Sequence, residues 1–243
     1  MLPDWTRGAR HLTGVVLEIG FPVQPDFYFG PENRFTDEMW ERMREPLHVP
    51  AVEASVSPSG FARPLLTHSL EHSVDELIRY YSDVLRLISQ YRKKVIDHRY
   101  YFTLEPILYS PDDDFELRYF LNEHWETAAL ALNAFEDPRD GVLFDQIDQS
   151  WALQVVGAGD RLYIRVSDPD TEDEDGECVS CSRAGVAAQV APLRERTRRI
   201  RTALSAAFPV DYWSLLWLHR AWGVPDSDWT DVDCFGAAPP TAG

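Results

Sequence analysis

Four short clusters in this chain hold residues with the means to do chemistry. His68-Ser69-Leu70-Glu71-His72 sets two histidines four apart around a glutamate. On one helix such histidines face a common metal ion, and the glutamate can act as base on its bound water. Arg92 and His98 place a guanidinium and an imidazole six residues apart, a pair able to stabilise and protonate a phosphate. Cys178 and Cys181 form a C-x-x-C pair, a spacing used for zinc and for thiol exchange. Gly157-Ala158-Gly159 follows a strand-like run, where a phosphate-cradling loop would begin.

Each cluster conflicts with its surroundings. The histidine cluster resembles the H-x-x-E-H pattern of inverted zinc peptidases. Ser73 and Glu76 form an S-x-x-E capping box, which starts a helix after the motif and leaves His68 and His72 in a loop. No downstream helix offers an evident third ligand. The Arg92/His98 spacing resembles the R-x(4–6)-H of HEPN ribonucleases, but that family is all-helical and His98 runs into the strand-like Tyr100-Tyr101-Phe102. The C-x-x-C pair has one further cysteine, Cys234, where zinc wants a second pair, and no thioredoxin-like strand precedes it. It reads as two loop thiols. After Gly159 the third glycine is missing, with Leu162 in its place, and a strand follows, so the glycines mark a hairpin turn. Residues 168–177 hold seven carboxylates in ten positions. A calcium-loop register on Gly176 puts Thr171 and Ser182 at its ends, both wrong for calcium. Neither a metal nor a cofactor is expected, and catalysis is less expected than binding.

Charge is the stronger signal. Forty acidic residues against 23 basic give −17. Such a chain repels nucleic-acid phosphate and anionic lipid, so the expected partner is a basic protein, with no direct nucleic acid and no membrane. Residues 111–177 hold 19 acidic and 4 basic residues, whereas 178–208 hold 1 and 6, with Arg194, Arg196, Arg198, Arg199 and Arg201 close together. The basic stretch can fold back on the acidic one, but exposed pairs of that kind are worth only ~0–1 kcal/mol each. Six positive charges also leave most of the acidic excess unpaired. Lysine occurs only at 93 and 94 against 21 arginines, a bias that leans towards a GC-rich bacterial genome. The apolar run from Val15 to Val23 is broken by Glu18 and lacks the basic flank of a secretory signal, and no stretch of ~20 apolar residues exists. The cytoplasm is the expected compartment.

The elements that would position these groups read as an α+β fold, mainly antiparallel sheet with three to five helices. A single domain is expected over 1–225, with a mobile tail over 226–243. Residues 13–19 read as a strand ended by Phe21-Pro22. Thr36 caps a short helix, closed by Pro46, with Asp37 and Glu38 in its first turn and Phe35 and Trp40 at staple positions. Residues 47–66 read as irregular. A helix over 74–96 carries Leu77, Tyr81, Val84, Leu85 and Ile88 at three- and four-residue spacing. Two strands, 99–109 and 115–121, flank an acidic turn at 110–114, and a helix covers 124–135. Trp151–Val156 and Arg161–Ser167 form a hairpin, with Leu162, Ile164 and Val166 alternating against Arg161, Tyr163 and Arg165. A helix over 184–207 is expected to kink or break at Pro192. Asp211 caps a last helix to 222, whose Tyr212, Trp213, Leu215, Leu216, Trp217, Leu218 and Trp222 surround the axis, as in a buried helix.

These readings converge on an acidic binding or inhibitory protein, in the manner of an immunity protein that neutralises a basic bacterial toxin. A structural or adaptor subunit, or an enzyme with an unrecognised site, is the alternative. The binding residues are expected to be Asp112, Asp113 and Asp114 at the turn, and Asp168, Asp170, Glu172, Asp173, Glu174, Asp175 and Glu177 in the loop, all facing water.

Overall fold

The structure, a computed structural model, describes residues 2–30, 36–51, 63–118, 124–148, 151–167 and 176–214. Its first elements are β1 (Arg10–His11), β2 (Val16–Val23), β3 (Asp26–Tyr28), α1 (Asp37–Arg42), β4 (Arg44–Pro46) and β5 (Arg63–Leu66). Next come α2 (Thr67–Leu70), α3 (Val74–Gln90), β6 (Glu105–Ser110), β7 (Phe115–Arg118) and α4 (Trp125–Glu136). The series ends with β8 (Gly141–Asp148), β9 (Trp151–Ala158), β10 (Arg161–Ser167), β11 (Glu177–Ser182) and α5 (Arg183–Ala207). The fold is α+β; the pairs β10–β11, β9–β10, β2–β5, β3–β4, β6–β7 and β8–β9 are antiparallel, and β1–β11 is parallel.

The chain forms two compact units. One comprises Met1–Ile19, Glu105–Leu121 and Glu126–Glu195, the other Gly20–Leu104, Asn122–Trp125 and Arg196–Gly243. In the first, a five-stranded sheet runs in the order β1-β11-β10-β9-β8. The expected hairpin is β9–β10, with Leu162 opposite Gly157 and Ile164 opposite Val155. Leu162 and Ile164 are fully buried, as period-two alternation requires. β6 and β7 form a second hairpin across the acidic turn. The first part of α5 buries Val186, Val190 and Leu193. Gln189 ties that helix to the chain around β2, donating to Val15 O at 2.9 Å and accepting from Leu17 N at 2.9 Å.

The second unit is built around aromatic rings. α3 buries Leu77, Tyr80, Tyr81, Val84 and Ile88 along one stripe. Tyr81 meets Trp213 edge-on at 4.8 Å and Phe102 at 5.4 Å. The Tyr80 hydroxyl accepts the N–H of Gln24 at 2.8 Å. β3 pairs with β4, and β2 pairs with β5 from Gly20–Leu66 to Val23–Arg63.

Several local expectations need correction. β2 continues through Phe21-Pro22 to Val23, because Pro22 sits opposite Pro64 on a rung where neither has to donate to the other. Residues 63–66 are the strand β5 rather than irregular chain. Pro46 does not close α1, which ends at Arg42; Arg44–Pro46 pairs as β4. Thr36 does cap α1, accepting from Met39 N at 3.2 Å, while Phe35 lies outside the described residues. Ser73 stands at the N-cap of α3 but its side chain makes no capping bond. Glu76 turns instead to His48 Nε2 at 3.0 Å and Arg79 Nη1 at 2.9 Å.

α3 stops at Gln90, short of 96. Arg92 takes a left-handed φ of 51°, with its N–H on Ser89 O and that of Lys93 on Ile88 O. That is the Schellman termination, usually made by glycine. Residues 99–104 are not a strand. Val95–Phe102 is a 3-10 turn, because His98, Tyr101 and Phe102 are all buried, and a strand would send neighbours 101 and 102 to opposite faces. α5 runs unbroken through Pro192. The carbonyl that proline leaves unbonded is that of Ala188, which is exposed to water. Over 211–214 the chain makes a turn, with Asp211 Oδ1 accepting from Trp213 N at 3.2 Å. Tyr212 and Trp213 are buried as expected, and 215–222 and the tail 226–243 lie outside the described residues.

Candidate functional site

The acidic turn between β6 and β7 is the best-built part of the expected binding surface. Asp113 does not face water freely. Its Oδ2 accepts from Thr13 N and Ser110 Oγ, both at 2.7 Å, and from Thr13 Oγ1 at 3.4 Å. Ser110 and then Thr13 hold its carboxyl below the usual carboxylate range. Asp113 is therefore the residue that fastens the turn, and it is half-buried where full exposure to water was expected. Asp112 and Asp114 are exposed, and their side chains take no ion pair among the described residues. Asp114 has a left-handed φ of 49°, a conformation that aspartate tolerates better than most residues.

Residues that sequence reasoning passed over complete this site. Gly14 has a φ of 59°, and a Cβ there would lie 2.7 Å from Asp112 Oδ2. Arg10 reaches Asp113 O at 3.3 Å and Glu177 Oε1 at 3.2 Å, with its guanidinium 5.5 Å from the centre of the Phe115 ring. Glu177 is thus exposed and paired with Arg10. Its place at the start of β11 brings it to Arg10 because β1 runs beside that strand. The signal in the sequence was only the Thr13-Gly14 turn dipeptide. Asp168, Asp170, Glu172, Asp173, Glu174 and Asp175 lie outside the described residues.

The arginines of α5 reach the acidic segment at two places in the first unit. Arg194 Nη1 lies 2.7 Å from Glu136 Oε2. Arg183 is 9% exposed and holds Asp140 Oδ1 and Gly159 O at 3.1 Å, Asp137 O at 2.6 Å, and Arg139 O. Gly157 makes room for it, since a Cβ there would lie 2.7 Å from Arg183 Nη2. Gly157 and Ala158 are the last residues of β9, not part of the turn; the hairpin turns at Gly159-Asp160, where Gly159 supplies the left-handed φ of 57°. Of the other helix arginines, Arg196 donates to Thr67 Oγ1 at 2.9 Å, Arg199 pairs with Glu71, and Arg201 with Asp211 at 2.8 Å. Asp160 and Asp145 remain exposed with no ion pair among the described residues, and Asp145 accepts only from Gln154 Nε2 at 3.2 Å.

The chemical motifs separate in three dimensions. His68 lies on the short α2, not in a loop, and Glu71 beside it is engaged by Arg199. Arg92 is exposed, whereas His98 is 2% exposed against Phe27 at 4.9 Å and Tyr100 Oη at 3.2 Å. Burial, and then the Lys93 charge, bring the His98 imidazole down to about 4, so near pH 7 it is neutral and not the imidazolium acid that protonating a leaving group requires. Cys178 and Cys181 stand on β11, not in a loop. Three apart on a strand, they point to opposite faces. Cys178 Sγ donates to Gly176 O at 3.2 Å, and burial pushes the Cys181 thiol up to about 12. No group of three or more histidine, cysteine or carboxylate side chains converges on a metal position among the described residues.

A buried ionic group was missed altogether. Glu105 and Arg118 are 9% and 5% exposed on facing strands. The β6–β7 register sets Arg118 opposite Ile107 and Glu116 opposite Tyr109, which puts Glu105, Arg118 and Glu116 on one face of the hairpin. Arg118 Nε donates to Glu116. Burial pushes the Glu105 carboxyl up to about 7 despite Arg118, and Glu116 adds to the rise.

No family model, curated protein or solved structure matches this chain. Among the described residues no helix is long and apolar enough to cross a membrane.

Proposed function

We propose that this chain is an acidic binding protein that docks on a basic protein. In the finer reading it is a bacterial immunity protein, which neutralises a toxin in the cytoplasm by covering it. One observation supports this reading above the rest. After the internal pairs of the first unit are drawn, Asp112, Asp114, Asp145 and Asp160 still stand exposed without a cation among the described residues. Of the arginines of that unit, Arg194, Arg139, Arg183, Arg10 and Arg118 are committed to Glu136, Asp137, Asp140, Glu177 and Glu116 and Arg7 to Asp4, while Arg161 is exposed with no ion pair among the described residues. Exposed charge of one sign steers an opposite partner and raises its association rate.

The test is capture of the partner from the native host, followed by association rates of the purified pair at several salt concentrations. Between 0.05 and 0.5 M salt the rate should fall on the order of tenfold or more, as screening shortens the reach of surface charge. Changing Asp112 and Asp114 to Asn, and separately Glu172, Asp173, Glu174 and Asp175 to their amides, should slow association and leave the melting temperature unchanged. An acidic partner, or a rate indifferent to salt and to both sets of substitutions, would sink the reading.

A further inference from the structure

β8 ends the five-stranded sheet, and among the described residues nothing pairs with its outer side. The opposite end closes with β1, which is two residues long and offers little backbone to a newcomer. β8 runs for eight. A strand edge is a row of unpaired N–H and C=O groups, and proteins that must stay apart blunt it with lysine, proline or short length. The sequence of β8, GVLFDQID, contains neither lysine nor proline. A bulge interrupts its register at Val142/Phe144, but from Phe144 to Asp148 it matches β9 rung for rung. Val142 is 60% exposed and Asp145 is exposed, so this stretch is open at both points.

Charge selects the occupant. The charged residues of β8 are Asp145 and Asp148. The arginines near its start are already bound, Arg139 to Asp137 at 2.5 Å and Arg183 to Asp140 at 3.1 Å. A second copy would bring the same carboxylates and another −17 alongside. A strand bearing arginine or lysine would bring the missing cations. We infer that β8 is a docking edge that takes an extended basic segment of the partner as a sixth strand of this sheet. The inference rests on the basic-partner reading above and adds the mode of attachment: main-chain bonds give the affinity and the carboxylates select the sequence.

Hydrogen exchange of the full chain tests it. The probe is an end-blocked alternating Arg-Val peptide of about nine residues, the length of a long strand. Arg-Gly and Glu-Val peptides of the same length separate charge from strand character. With Arg-Val, amides of 141–148 should exchange on the order of tenfold more slowly, with little change elsewhere. Neighbouring N–H groups on a strand point alternately to β9 and outward, so of Asp145→Pro and Gln146→Pro one removes an outward donor and keeps the fold. That variant should lose the protection. Asp145→Lys leaves every backbone group in place and should lose it too. The inference is overturned if β8 gains no protection at millimolar Arg-Val, or if Arg-Gly or Glu-Val protects it equally. It is also overturned if β8 proves to be held by a second copy, seen as a dimer that the proline variant dissociates. Failure here with salt-sensitive capture through Asp112 and Asp114 intact removes only the edge. Protection of β8 without any salt-sensitive basic partner removes only the reading on which it rests.

Discussion

Replacing Glu105 with Gln should stabilise this protein at pH 8 and do almost nothing at low pH. The carboxyl is buried on β6, and Arg118, the cation beside it, is shared with Glu116. In the unfolded chain it titrates near 4.5, and in the fold near 7. A folded-state value above the unfolded one means that the stability is fully present below pH 4.5 and is lost as pH rises through about 7. Each tenfold change in proton affinity is worth about 1.4 kcal/mol, so the whole loss is about 3 kcal/mol. About 2 kcal/mol of it falls between pH 5.5 and 8, a range clear of the isoelectric point near 4.7. Gln has nearly the shape of the protonated acid and no charge to desolvate. Subtracting the two unfolding free energies at each pH cancels the general repulsion of a −17 chain, which both proteins share. Urea unfolding followed by circular dichroism at pH 5.5, 6.5, 7.5 and 8 is the assay. The variant's advantage should grow by about 2 kcal/mol across that series. A flat difference, or a variant less stable at pH 8, would show that Glu105 is ionised and well paired in the fold.

Trp213 is fully buried among Tyr81, Phe102 and Phe208, and Trp213→Ala should cost about 3–5 kcal/mol, read as a lowered melting temperature. Arg183 satisfies three carbonyls and one carboxylate at once, so Arg183→Ala should cost about 3 kcal/mol. Arg183→Lys should recover little of it, because one ammonium cannot span a planar fork; full recovery in urea titrations would contradict that geometry. Arg92→Gly should hold or raise stability by up to ~1 kcal/mol, relief of the left-handed strain being partly offset by a freer unfolded chain. A clear loss on that change would mean that the Arg92 side chain has a structural role of its own.

The parts of the fold that were legible in the sequence are those where periodicity and burial agree. α3 and β10 could be read because each alternates buried with more exposed positions, and the β6–β7 turn because Ser110-Pro111-Asp112-Asp113-Asp114 breaks two apolar runs. β8 and β11 could not. GVLFDQID lacks strict alternation across its bulge, and ECVSCS is small and polar, so both are strands because of their neighbours rather than their composition. The capping box failed for a related reason. Ser73 and Glu76 have the right spacing, but His48 from a distant segment competes for Glu76 and wins. At the candidate site the carboxylates were visible and their roles were not. Asp112, Asp113 and Asp114 are the same residue three times over, and only the positions of Thr13 and Ser110 make the middle one a fastener.

That difference bears on how the acidic excess is to be interpreted. If the carboxylates of the first unit served solubility alone, their positions would matter little. Instead Asp113 and Gly14 fix the turn, and Asp112 and Asp114 flank the fastener at set points. A fixed turn holds two charges at one spacing without costing a partner the entropy of ordering them. The arginines of α5 that reach this unit are drawn to Glu136, Asp137 and Asp140, the link between α4 and β8, and leave that turn alone. A chain whose acidity was matched internally would send its cations to the most acidic surface. Here they secure the link between α4 and β8, and the other exposed carboxylates are left to water or to a partner that brings its own positive charge.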